Sequence, residues 1–177
     1  MFKYLLVLLL ICTSALADEF GLRLNSVAAT TDTALWEFPT GGNGTNGYIE
    51  GKIIHAVYDW EPHPNFFLEG GLGYRSWNDV FEYSSMAYEV SPGLRVAWHA
   101  LVFRLSEGLS YMPENSFNPV TWEGYQQLDF VTHITLGLKD PKTGIGIYLD
   151  RSHYSNGSAY NNPSLNYVGF MILFPIN

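Results

Sequence analysis

The feature that most constrains this chain is a two-residue alternation of polarity, with charges of both signs on one phase and large apolar side chains on the other. Around 84–98, Met86, Tyr88, Val90, Leu94, Val96 and Trp98 share one phase, while Glu89, Ser91, Arg95 and His99 share the other. The stretch 125–139 repeats the pattern, setting Leu128, Phe130, Ile134, Leu136 and Leu138 against Gln127, Asp129, His133, Thr135 and Lys139. Phe66, Leu68, Leu72 and Tyr74 oppose Glu69 and Arg75, and Phe20, Leu22 and Leu24 oppose Arg23 and Asn25. A period of two belongs to the β-strand, whose successive side chains point to opposite faces.

Such runs recur between clusters of Gly, Pro, Asn and Asp, and eight strands are predicted at 20–32, 47–60, 65–77, 84–98, 100–112, 125–139, 144–155 and 165–175. No amphipathic helix competes with them. Two architectures satisfy the alternation. A soluble β-sandwich packs its apolar faces together, whereas a membrane barrel turns them to lipid, encloses the charges and satisfies every backbone group by closing the sheet. The connections favour the barrel. Longer ones at 33–46, 78–83, 113–124 and 156–164 take turns with shorter ones at 61–64, 99–100 and 140–143, as extracellular loops and periplasmic turns do in outer-membrane barrels. Trp60, Trp77, Trp98 and Trp122 fall near strand ends, where aromatic girdles lie. The expected fold is therefore all-β, an eight-stranded antiparallel transmembrane barrel of the outer-membrane type. An interior of that size is filled by side chains, so no pore is expected.

The first 17 residues fit this setting. Lys3, an apolar run from Tyr4 to Cys12 and small residues at Ala15 and Ala17 read as a signal peptide cleaved after Ala17. The run is short of the about 20 residues that a spanning helix needs. Residues 18–177 then form a single domain, and Cys12, the sole cysteine, leaves with the signal, which excludes disulfides and a thiol nucleophile. Without Lys3, the nine basic residues become eight against 17 acidic ones, a formal charge near −9 that argues against nucleic acid as a partner.

Chemistry concentrates in His153-Tyr154-Ser155-Asn156 and in Asn162-Pro163-Ser164-Leu165-Asn166. Ile145, Ile147 and Leu149 share a phase with Arg151, His153 and Ser155, so the apolar outer stripe of strand seven ends in reactive side chains. Asn166 is in phase with Val168, Phe170, Ile172 and Phe174, which places it on the same outer face. A hydroxyl nucleophile, an imidazole to take its proton and a group to orient the imidazole are what an ester hydrolase requires. Asn156 and the backbone of Asn156 or Gly157 offer oxyanion donors, and Arg151 is placed to meet a phosphate or to anchor at the interface.

These two segments resemble the signature of the PagL-type lipid A 3-O-deacylases, small outer-membrane barrels. The resemblance is specific over about 25 residues. It implies His153 as base, Ser155 as nucleophile, position 166 as orienter and Asn156 as an oxyanion donor, with no cofactor. It further implies lipid A of lipopolysaccharide in the outer leaflet as substrate and partner. The orienter in that family is a glutamate, and here it is Asn166. The carboxylates to consider in its place are Asp150, of opposite phase, and Glu107. A monomer or homodimer is expected. The alternative is a structural or binding barrel that keeps the signature without catalysis.

Glu107 shares its phase with Leu101, Phe103, Leu105, Leu109 and Tyr111 and would face lipid unless a bulge turns it inward; facing outward, it becomes a functional candidate. His55, His63, His99 and His133 have no metal-like spacing, and no metal is assigned. His99 and His133 are expected in the barrel interior, where Arg23, Glu69, Glu89, Arg95 and Arg104 form a rigidifying charge network.

Overall fold

The computed structural model describes residues 18–30, 50–78, 82–113, 127–156 and 165–176. The expected signal peptide, Trp122, Gly157, the whole of the connection at 33–46 and much of the connections at 78–83, 113–124 and 156–164 lie outside them.

Eight antiparallel strands follow one another in chain order: β1 (Glu19–Thr30), β2 (Glu50–His63), β3 (Phe66–Asn78), β4 (Glu82–Trp98), β5 (Leu101–Met112), β6 (Gln127–Lys139), β7 (Gly146–Asn156) and β8 (Leu165–Pro175). Each pairs with the next, and β8 returns to pair with β1, closing the barrel. Closure leaves no unpaired edge, which is how a sheet can sit in an apolar medium. The sandwich alternative is thereby excluded. The largest boundary difference is in β2, which runs past Trp60 to His63 through a register shift and so carries Glu61 into the interior beside Arg95.

Side-chain placement follows the alternation. On β7, Leu149 is 58 % exposed and the adjacent Asp150 1 %, so the apolar phase is the outer wall and the charged phase the interior. The same inversion holds around the barrel, where Phe20, Leu24, Leu72, Val90, Leu94, Phe103, Leu136 and Phe170 are exposed.

The interior is layered. Ile53, Ala87, Met112, Val131, Tyr154, Leu165 and Tyr167 form one apolar cluster, and Val57, Val102, Tyr148, Met171 and Leu173 form another. Between them lies a belt of charges centred on Arg23, whose Nη1 is 2.8 Å from Glu69 and whose Nε is 3.1 Å from Asp150. Arg104 pairs with Asp59 at 2.5 Å and with Glu69 at 3.4 Å, and Arg75 pairs with Asp129. His133 is an interior residue as expected, with Nδ1 2.8 Å from Ser152 Oγ, and His55 joins it, 3.2 Å from Glu89. His99 corrects the expectation. It is exposed at the β4–β5 turn with φ 57° and lies edge-on to Trp98, because the positive φ ends the strand before the alternation reaches it.

The turn that launches β7 is held locally. Asp140 accepts from the backbone N–H of Lys142 at 3.1 Å and of Thr143 at 3.2 Å, and from the Thr143 hydroxyl at 2.7 Å, an Asx-type arrangement. The Thr143 hydroxyl and these amides hold the Asp140 carboxyl below the usual carboxylate range. Gly144 supplies the positive φ of 74° that brings the chain into β7.

Candidate functional site

The candidate site is a polar patch on an otherwise apolar outer wall, and strand register assembles it. Glu107 of β5 pairs with Thr132 of β6, Thr132 with His153 of β7, and His153 with Asn166 of β8. Four outward-phase polar residues thus form one row across four neighbouring strands. Toward the loops the next row is Leu109, Phe130 and Ser155; toward the turns it is Leu105, Ile134, Arg151 and Val168. A bulge in β1, where the register shifts between Val27 and Ala29, sits against Asn166, a place where such kinks re-aim neighbouring side chains.

His153 and Asn166 meet. His153 Nδ1 is 3.0 Å from Asn166 Oδ1, and Arg151 Nη2 donates to the same oxygen at 3.2 Å. Asn166 is only 5 % exposed although its phase is outward, because these two side chains lie over it. Arg151 and His153 are half-buried, as is Ser155 two residues further up the same face. Among the described residues, His153 Nε2 and Ser155 Oγ have no hydrogen-bond partner, so one end of the imidazole is engaged and the other has no partner there. Asn156 closes β7, and its side chain lies outside the described residues, as does Gly157.

The carboxylates weighed as substitute orienters do not reach His153. Asp150 points into the barrel, where Arg23 and the Ser152 hydroxyl engage its Oδ2 at 3.1 and 2.9 Å. Glu107 is exposed on the outer wall and is separated from His153 by Thr132. The bulge that would have turned Glu107 inward is absent: β5 and β6 pair without a shift from Leu101 to Met112. Pro92, which lacks an N–H, stands on the other side of it between the pairs Val90–Leu109 and Gly93–Ser106.

A carboxylate near the middle of β5 is poorly solvated in lipid. Glu107→Leu is expected to raise barrel stability by about 1 kcal/mol, less than the about 2–4 kcal/mol assigned to Arg or Lys at the bilayer midplane. Urea unfolding in lipid vesicles measures this; a lowered midpoint would show that Glu107 stabilises the wall.

Thr132 escaped the sequence reading. Its signal is present, since it interrupts the apolar outer stripe of Leu128, Phe130, Ile134, Leu136 and Leu138. Only the pairing of β6 with β7 reveals that it stands beside His153. Arg151, the candidate for a phosphate contact, donates to Asn166, a contact the sequence reading did not include.

No family model matches the chain, and no curated protein does. Solved structures similar in architecture include two outer-membrane barrels. The N-terminal β-barrel domain of Pseudomonas aeruginosa OprF aligns at TM-score 0.51 and 11 % identity, over 89 % of this chain and 97 % of that one. The outer membrane enzyme PagL aligns at TM-score 0.51 and 19 % identity, over 90 % of this chain and 100 % of that one. The equal scores make this likeness one of fold: the chain is a closed eight-stranded antiparallel β-barrel of the outer-membrane kind.

Proposed function

We propose that this protein is an outer-membrane ester hydrolase of the PagL type that removes an ester-linked acyl chain from lipid A of lipopolysaccharide. The observation that carries the reading is the His153 Nδ1 contact with Asn166 Oδ1 on the outer wall, with Ser155 on the same face. An orienter on Nδ1 leaves Nε2 free to act as a base, the division of roles used by Ser-His hydrolases. Placement on the lipid-facing wall favours a substrate whose ester lies in the membrane over a soluble one.

In this mechanism the Ser155 hydroxyl turns toward His153 Nε2 when an acyl chain is seated, since such bonds tighten in the substrate complex. Oγ attacks the acyl carbonyl as its proton passes to Nε2. The oxyanion is held by donors from Asn156 and Gly157. Collapse breaks the bond to the sugar oxygen, which leaves as a hydroxyl by taking the proton from His153. Water then enters by the same base, frees the fatty acid and restores Ser155. Asn166 orients the ring without the charge of a glutamate and so stabilises the imidazolium less.

A non-catalytic binding or structural barrel is the second reading, favoured by the unbonded Ser155 hydroxyl. The two separate in one assay. Purified protein refolded in detergent and incubated with lipopolysaccharide is expected to yield lipid A lighter by one acyl chain in mass spectrometry. Lipid A of unchanged mass overturns the hydrolase reading.

A further inference from the structure

We infer that Arg151 is a positioning residue that sets the tautomer of His153 by fixing the amide of Asn166; this rests on the hydrolase reading for its consequence in catalysis, and on geometry alone for the tautomer. An amide orienter has a weakness that a carboxylate lacks. Either oxygen of a carboxylate accepts, whereas an Asn side chain turned by half a revolution offers an NH₂ group where its oxygen was. In that flipped state Asn166 would donate to Nδ1, the ring would carry its proton on Nε2, and Ser155 would face a donor instead of a base.

Arg151 removes the ambiguity. A guanidinium has donors only, so the Asn166 atom 3.2 Å from Nη2 is the carbonyl oxygen. That oxygen is also the atom 3.0 Å from His153 Nδ1, and because it can only accept, Nδ1 must carry the proton. Nε2 is left with its lone pair and has no partner among the described residues. Flipping the amide with Arg151 in place would set two donor groups against each other in a half-buried site. Arg151 is two residues from His153 on the outer wall, so its side chain reaches Asn166 without entering the path to Ser155.

The test has two readouts. Nitrogen-15 spectra of histidine-labelled protein, with the His153 signals assigned through His153→Gln, report the tautomer whether or not the protein turns over substrate. His153 is expected to be protonated on Nδ1 in the wild type and to move toward the Nε2-protonated form in Arg151→Met, while Arg151→Lys keeps the wild-type signal. Arg151→Leu is the second donor-free variant, suited to the wall by analogy with Leu149, should the Met variant fail to fold. In turnover, Arg151→Met is expected to lower kcat by about 10- to 100-fold with KM little changed, because the share of His153 that offers a free Nε2 lone pair as base falls. Asn166→Glu should make the enzyme nearly indifferent to Arg151→Met. A His153 tautomer unmoved in the donor-free variants overturns the inference. A tautomer that shifts in a protein with no acyl release retains it and removes the hydrolase reading instead.

Discussion

Arg23→Met is expected to cost the barrel about 3–5 kcal/mol, the range for removing one partner of a buried ion pair. Arg23 is fully buried and bridges Glu69 at 2.8 Å and Asp150 at 3.1 Å across the charged layer. Glu69 keeps Arg104, at 3.4 Å, after the substitution. Among the described residues, Asp150 keeps only neutral donors, the Ser152 hydroxyl at 2.9 Å and the Asn25 amide. The cost thus falls mainly on one stranded carboxylate. Adding Asp150→Asn to Arg23→Met should return part of the loss, since the uncompensated charge is gone. Arg23→Lys should be intermediate, because a single ammonium cannot span two carboxylates as a guanidinium fork does. Urea titration in vesicles, with folded and unfolded forms separated by their gel mobility, reads all three. A midpoint for Arg23→Met equal to wild type would show that the belt does not hold the barrel together.

That belt is also where sequence served the reading well. Arg23, Glu69, Glu89 and Arg104 were legible as interior residues because each alternates with apolar residues of the opposite phase, and period two is a local property of the chain. The eight strands are legible for the same reason, with Gly, Pro and Asn marking their ends. What depends on pairing was not. The row from Glu107 through Thr132 and His153 to Asn166 exists only once register is fixed, and no spacing along one chain states which residues of two strands will lie opposite. The Arg151 contact with Asn166 is a diagonal across β7 and β8, invisible for the same reason. His99 failed because parity was extended one residue past the strand, where a left-handed turn takes over. For Glu107 the sequence left two readings open, inward through a bulge or outward on the wall, and the regular pairing of β5 leaves the carboxylate outside. A cost inferred from one residue did not decide the geometry of twelve paired ones.

Ser155→Ala is expected to reduce acyl release by about 10³-fold or more, and His153→Ala by a similar factor, while the double variant loses hardly more than either alone. The reason is that in the proposed mechanism the two groups act as one device. Without the hydroxyl the imidazole has no nucleophile to activate, and without the imidazole the hydroxyl is a poor nucleophile with no acceptor for its proton. Asn166→Ala should cost less, about 10- to 100-fold, since the ring remains and only its orientation is lost. Neither Ser155 nor His153 belongs to the interior network, and both face outward from β7, so these variants should fold with wild-type urea midpoints. Release from lipopolysaccharide, measured as free fatty acid over time, distinguishes this from a binding role. Effects that multiply in the double variant would mean that Ser155 and His153 act independently, as contacts to a bound lipid would, and would count against a shared catalytic device on the barrel wall.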